Sequence, residues 1–317
     1  MPTRKSPRKG SLQFWPRKRA NKFLPRVNWS ATKNNSSKVL KGFIGYKVGM
    51  ATAYVKDDTG DSMTKGKRIT LPITILECPT MKIFSVRFYK EGSVAKEILA
   101  ENLDKELKIK VKLPKKKMDS LDKVSREEFD DIRVILYSQV KKTNIKKTPD
   151  LSEIGLSGNV EEKLSFVKEN LSKDISVSDV FERNSLVDLR GLTKGHGFSG
   201  AVKRFGVQLR QHKTEKGRRG PGSIGPWHPA RVTFRVPMPG QLGMFTRISY
   251  NSKIIEIEKA EGEKKITGFK NFGDVKSDYL ILNGSVQGPE KRQILITVPI
   301  RETKKQLKKN YELIELR

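Results

Sequence analysis

The sequence predicts a mainly β fold: a β-barrel interrupted by an inserted α-containing region. Three observations carry this. Short runs rich in Val, Ile, Phe and Tyr cluster towards both ends of the chain. A stretch of mixed polar, helix-forming composition separates the clusters. Turn residues or charged segments separate the β-rich runs, which suits many short strands closed into a barrel.

The elements follow in order. Residues 1–41 form a basic arm with no sustained period of 2 or 3.6. GFIGYKVGMATAYV, ITLPITILE and KIFSVRFYK read as strands and place the first part of the barrel at 42–90. The inserted region spans 91–185. It holds two stretches of helical composition, 94–108 and 119–130, joined by KLPKKK, and IRVILYSQV at 132–140 reads as a buried strand. Asn159 followed by Glu162 has the spacing of a capping box. Val160, Leu164, Val167 and Leu171 then give the helix one apolar face. The second part of the barrel, 186–300, begins with LVDLRGLTKG and continues with YNSKIIEIE, SDYLILNG and RQILITVPI. A Gly-rich basic loop, 206–245, interrupts it, and 301–317 is a charged tail. No internal repeat is visible.

Charge bounds the function. The 317 residues carry 65 Lys and Arg against 35 Asp and Glu, a net charge of +30. Fourteen Lys or Arg precede the first acid, Asp57. Between Asp188 and Glu256 thirteen Lys or Arg face one acid, Glu215. Such an excess repels itself unless a polyanion neutralises it, and two basic concentrations read as a nucleic-acid footprint. No apolar run approaches the roughly 20 residues that span a bilayer, so no membrane partner is expected. MPTRKSPRKG has no apolar core behind it and is not expected to be a secretory signal. A single cysteine, Cys78, excludes a disulfide framework and a CxxC zinc pair, and fits a reducing compartment.

Several motifs have a plainer reading beside the functional one. Gly195–Gly200, GHGFSG, matches the dinucleotide pattern and would make the chain a nucleotide-dependent or RNA-modifying enzyme. AVKRFGVQLRQHK after it lacks an amphipathic helix, and no acid stands about 20 residues on to hold a ribose. His196, His212 and His228 are too scattered for a metal site. No GxSxG nucleophile elbow is present. Among Arg, Lys and Gly, these histidines read better as polar RNA contacts. The aromatics of the arm, Phe14, Trp15, Phe23 and Trp29, are unusual for a solvated basic tail and fit an arm that orders on RNA by stacking. Trp227, in GPGSIGPWHPARV, is either a core residue in a shaped turn or an aromatic carried outward on a Gly/Pro loop. The local composition favours burial by a nucleic acid.

On these residues the chain resembles the ribosomal large-subunit protein three family, in its archaeal and eukaryotic branch. The matching pieces are GSLQFWPRKRA, FIGYKVGMA, IRVILYSQV, VDLRGLTKGHGFSGAVKRFG, GPWHPARVTF and GQLGMFTRISYNSKI, along nearly the whole chain. The middle, 91–131, shows little beyond composition. The resemblance implies a translation-protein-type β-barrel with an inserted region and long basic extensions into rRNA. Trp227 would sit at the tip of a finger reaching toward the peptidyl-transferase centre. It implies a structural, non-enzymatic role in the cytoplasm, on the ribosome, with no cofactor or metal and no homo-oligomer. Its partners would be large-subunit rRNA and neighbouring ribosomal proteins, large-subunit protein fourteen among them. Glu215 stands where eukaryotic members carry a methylatable histidine, so that mark is not expected here.

The expected rRNA-binding residues fall in two groups. In the arm they are Arg4, Arg8, Trp15, Arg17, Lys18 and Arg19. In the second basic segment they are Lys194, His196, Lys203, Arg204, Arg210, His212 and Lys213, followed by Arg218, Arg219, Trp227, His228, Arg231 and Arg247.

Overall fold

A computed structural model describes residues 5, 11–32, 38–114, 129–143, 145–259 and 266–317. Its first strands are β1 (Gly42–Asp57), β2 (Arg68–Glu77), β3 (Met81–Lys90), β4 (Ser93–Leu99), β5 (Asp131–Ser138) and β6 (Leu151–Gly155). Helix α1 (Val160–Asn170) and β7 (Leu186–Leu192) follow. Next come β8 (Phe198–Ser199), α2 (Ala201–Phe205), β9 (Gly240–Gln241), β10 (Thr246–Glu258), β11 (Tyr279–Asn283) and β12 (Gln293–Thr297). Helix α3 (Lys304–Leu307) and β13 (Tyr311–Leu316) end the chain. The fold is mainly β, and none of the three described α-helices exceeds 11 residues.

The chain divides into two compact units. The larger comprises Leu24–Gly191 and Ile248–Arg317, the smaller Met1–Phe23 and Leu192–Arg247. In the larger unit β1 is buried at every position from Gly42 to Gly49, so its run shows no inside–outside alternation. Both its edges are used. One pairs with β2 from Tyr46↔Glu77 to Lys56↔Arg68. The other pairs first with β12, from Gly42↔Thr297, and further on with β13, from Ala53↔Leu316. Neighbouring pairings run β1–β2–β11–β10–β7–β12 and return to β1, a closed ring of six strands with β13 attached. A ring leaves no open edge along its length, which protects apolar strands from pairing with other chains.

A second, four-stranded antiparallel sheet has the order β4–β3–β5–β6. Residues 42–90, read above as one barrel portion, therefore feed both sheets. KIFSVRFYK reports a strand but not its partner, and β3 pairs with β4 and β5. The helix expected over 94–108 is corrected too. Ser93–Leu99 is strand β4, in register with β3 at Val86↔Ile98, and Lys105–Ile109 is a 3-10 turn. Its Lys and Glu composition favours helix, but edge pairing overrides a weak local preference. Most of the second helical stretch, 119–128, lies outside the described residues. The helix at Asn159 forms with its capping box, the Asn159 amide donating to Glu162 Oε2 at 3.1 Å, and it buries Leu164 and Val167. The charged tail, 301–317, supplies α3 and β13.

Polar contacts tie the two sheets of the larger unit together. Tyr46 on β1 donates to Asp150 Oδ2 at 2.6 Å and lies 2.7 Å from Ser138 Oγ on β5. Burial, then the Asp150 carboxylate, pushes the Tyr46 hydroxyl well above its ordinary pKa and keeps it a donor. On the second sheet Arg87 bonds Glu97 at 2.9 Å and Glu153 at 3.0 Å. Arg133 bonds Asp131 at 3.0 Å and Glu153 at 3.2 Å, and Lys163 reaches Asp131 at 2.6 Å.

Trp29 departs from the sequence reading as well. Read with the arm as an RNA-stacking aromatic, it is only 3% exposed and belongs to the main core of the larger unit. Its ring packs over two glycines. A Cβ on Gly155 would lie 2.9 Å from Trp29 Cβ and 3.0 Å from its Cγ, and one on Gly42 would lie 3.1 Å from its Cη2. Apolar periodicity could not report this, because one aromatic inserted between irregular segments has no period. Gly155→Ala should therefore lower the stability of the free protein by roughly 1–3 kcal/mol, the usual cost of overpacking. Gly60→Ala, where a Cβ meets nothing within 4 Å, should be near neutral. Urea unfolding of the two variants checks this, and equal stability would sink the Trp29–Gly155 packing.

Candidate nucleic-acid interface

The smaller unit carries nineteen Lys and Arg and one acid, Glu215. Its regular structure among the described residues is a two-residue strand pair and the five-residue α2. So little helix and sheet leaves cross-links between irregular segments to hold it.

The first set closes the base of loop 206–245. Phe198 pairs with Gln241 and Ser199 with Gly240. The His196 amide donates to the Leu242 carbonyl and the Leu242 amide to Gly197, both at 2.9 Å. Thr193 donates to Phe245 at 3.0 Å, and from the arm the Ala20 amide donates to Met244 at 2.9 Å. Gly243 has φ +79°, and a Cβ there would run into the Lys194 carbonyl oxygen, so this turn requires glycine.

The second set uses arginines as braces. Arg204 donates from Nε to the Gln241 carbonyl at 3.0 Å and from Nη1 to the Met238 carbonyl at 2.9 Å. Its guanidinium lies 5.1 Å from the ring centre of the buried Phe205, and that of Arg17 lies 4.4 Å from it. Arg17 also donates to the Ser11 carbonyl. Arg210 donates to the carbonyls of Pro221 and Gly222, while the Arg218 Nε donates to the Arg210 carbonyl at 3.3 Å. These bonds tie the two limbs of the loop. A charged donor on a carbonyl is worth about 1.5–3 kcal/mol, so a few of them matter in a unit with so little apolar core.

The expected site residues sort by exposure. Arg17, Arg204 and Arg210 are half-buried and turned to internal carbonyls or Phe205. Lys18, Arg19, Lys194, His196, Lys203, His212 and Lys213 are exposed, as are Arg218, Arg219, His228, Arg231 and Arg247. Lys203 Nζ lies 3.4 Å from His196 Nδ1. Trp227 is 87% exposed, so the reading of it as a core residue fails. Trp15 is 63% exposed and tilts against Phe234 at 5.4 Å between ring centres. Arg4 and Arg8 lie outside the described residues.

Three residues with the same chemistry escaped sequence reasoning. Phe198 is 82% exposed inside GHGFSG, where attention goes to the glycines. Phe234 and Arg235 stack on one another at 5.6 Å within RVTFRV, a run that reads as a strand. An exposed aromatic flanked by cations and lacking any acid nearby is the signal that could have found them.

Burial, and then the positive charges of Arg204 and Arg247, pull the Arg17 pKa below its ordinary value. This cluster crowds three cations together, so an anion placed beside it gains from all three. A groove of about 650 Å³ lined by Leu12, Phe205, Leu209, Ile224, Pro226 and Val236 lies within the same unit. Flat apolar faces, exposed cations and one acid give a surface whose chemistry suits stacked bases and phosphates. GHGFSG is not built for a dinucleotide: a two-residue antiparallel strand and a five-residue helix replace the strand and long helix of a βαβ unit.

A family model described as Ribosomal protein L3 matches residues 1–317. The chain is similar to the Large ribosomal subunit protein uL3 of Methanocaldococcus jannaschii, 40% identical over 312 residues, covering 93% of this chain and 91% of that one. It is 40% identical over 314 residues to the uL3 of Methanobrevibacter smithii, covering 94% and 93%. With that of Archaeoglobus fulgidus it shares 39% over 312 residues, again 94% and 93%.

Arg204→Ala should loosen the base of loop 206–245 without unfolding the larger unit, because its partners all lie in the smaller one. Limited proteolysis should cut the loop several-fold faster in the variant while the main thermal transition holds. Unchanged cleavage would show that the brace contributes nothing.

Proposed function

The chain belongs to the ribosomal protein L3 family, and from that premise we propose that it is a structural constituent of the large ribosomal subunit that binds and organises rRNA in the cytoplasm. The observation that carries this is the smaller unit, with nineteen cations, one acid and outward-facing aromatics. A surface of this kind cannot neutralise itself, and a phosphate backbone with splayed bases supplies what it lacks. The protein performs no chemistry; it positions RNA.

The finer reading follows the resemblance. The closed ring of strands supports a translation-protein-type barrel. The arm and loop 206–245 act as two basic extensions into rRNA, and Trp227 tips a finger directed toward the peptidyl-transferase centre. Its exposure and its Gly/Pro setting support that placement. Lys18, Arg19, Lys194, Lys203, Lys213, Arg218, Arg219, Arg231 and Arg247 neutralise phosphates, with Arg4 and Arg8 ahead of them. His196, His212, His228 and Trp15 meet bases or sugars. Arg17, Arg204 and Arg210 hold the extensions in shape and present their remaining donors. Neighbouring large-subunit proteins, protein fourteen among them, complete the setting.

Affinity for large-subunit rRNA should fall steeply with salt, with a log–log slope of about 0.7–0.9 per phosphate neutralised. Because Trp29 is a core residue, the informative truncation removes 1–23 and not the whole of 1–41. Loss of 1–23 should flatten the slope by several contacts while the larger unit stays folded. An unchanged slope would mean that the arm touches no phosphate.

Trp227→Ala should leave the melting temperature of the free protein nearly unchanged, since an exposed side chain contributes within about 0.5 kcal/mol. Subunits carrying the variant should assemble, because one stacking contact of roughly 1–3 kcal/mol is small beside many phosphate contacts. Their rate of peptide-bond formation should change. Wild-type rates in those subunits would overturn the finger-tip role.

A further inference from the structure

We infer that residues 301–309, which belong to the larger unit, form an additional surface that binds an RNA phosphate backbone. The inference rests on the rRNA-binding reading above and extends it to a segment outside the two basic regions visible in the sequence.

The segment RETKKQLKK holds Arg301, Lys304, Lys305, Lys308 and Lys309 against one acid, Glu302. Among the described residues none of these five cations is within ion-pair distance of a carboxylate. Elsewhere in the larger unit several cations do hold acids: Arg87, Arg133, Lys142 and Lys163 at 3.2 Å or closer, Arg68 on Glu315 at 2.9 Å and Lys56 on Glu312 at 3.8 Å. The strap differs in gathering five cations in nine residues with no such partner.

The strap is ordered without using those cations. Ile300 donates its amide to Asp188 Oδ2 at 3.0 Å, and Asn251 Nδ2 donates to the Arg301 carbonyl at 3.0 Å. Lys253 Nζ donates to the Leu307 carbonyl at 3.1 Å, and the Asn310 amide donates to Thr59 Oγ1 at 3.1 Å. Every anchor engages the backbone of 300–310, and no residue of α3 is buried. The lysines are therefore held in place and unoccupied.

The arrangement opposes its own stability. Lys304 with Lys308, and Lys305 with Lys309, are like charges four apart across α3 and its C-cap, which weakens a helix too short to stand alone. Beneath them the Lys253 ammonium is buried with no acid in ion-pair reach among the described residues, and burial together with Lys309 lowers its pKa. A lysine row of this kind, set on a rigid backbone, is relieved by a continuous line of negative charge. Leu307 is the one large apolar side chain exposed on the strap, too little for the apolar centre of a protein interface. The chemistry therefore selects phosphodiester over an acidic protein.

The test uses the full chain with K304Q, K305Q, K308Q and K309Q combined, and fragments of large-subunit rRNA titrated over a range of salt. At about 0.7–0.9 per contact, the log–log slope should be shallower by roughly 2 or more than that of the wild type, with a melting temperature no lower than the wild type's. In parallel, acylation of lysine amines on the wild-type protein should be blocked at Lys304 and Lys305 when rRNA is bound, a readout independent of whether the variant folds. A wild-type slope in a folded variant, or full acylation of both lysines in the complex, overturns the inference. Loss of subunit association with an unaltered rRNA slope would assign the strap to a protein neighbour and overturn it equally. Failure of the wild-type chain to bind rRNA would instead remove the functional reading on which it rests.

Discussion

The larger unit depends on both edges of β1 being used. Residues 46–56 pair with β2 on one side, while residues 42–46 pair with β12 and residues 53–57 with β13 on the other. That requirement explains local sequence choices that no helix or strand preference would make. Gly45 stands where a Cβ would lie 3.0 Å from Ile296 Cδ1 and 3.2 Å from Cys78 Sγ, and Gly49 where it would lie 2.7 Å from Phe269 Cδ1. Glycine weakens an isolated strand. Here it lets two layers approach a strand that has no free face. Tyr46, between these glycines, carries the connection to the second sheet through Asp150 and Ser138.

The smaller unit answers the opposite problem, a chain with too much charge and little to bury. Its solution is to give some arginines backbone carbonyls as partners. A guanidinium has five donors in a fixed fork, so Arg204 can satisfy two carbonyls and cover Phe205 at the same time. Lysine could not replace it there. The exposed set is mixed, Lys194, Lys203 and Lys213 beside Arg219 and Arg231, as a phosphate-facing surface allows. Residue type and burial together separate the cations that shape the unit from those it presents.

Much of this architecture was legible in the residues. β1, β2, β5, β7, β10, β11 and β12 lie where apolar β-branched runs announce them, and Asn159 with Glu162 marks the start of α1. What was not legible depended on distant partners. SVAKEIL pairs at the sheet edge despite its helical composition, and YELIEL becomes β13 only because β1 offers it an edge. Trp29 looked like its neighbour Trp15 in a basic, aperiodic segment, but two glycines 13 and 126 residues further on make room for it. The concentration of basic charge was visible, and so was the outward placement of Trp227 in its Gly/Pro setting. The bracing roles of Arg17, Arg204 and Arg210 were not, because a carbonyl acceptor leaves no mark in sequence.

The ring has a consequence in time as well as in space. Its closing pair, Gly42 with Thr297, joins residues roughly 250 positions apart. A chain made from its N-terminus cannot form that pair until nearly all of it exists, and non-local contacts of this span are slow to form. Until β12 is synthesised, β1 presents an apolar edge with no partner, the kind of edge that templates aggregation. A nascent chain therefore carries this unpaired edge for an interval whose length is set by how fast the roughly 250 remaining residues are made.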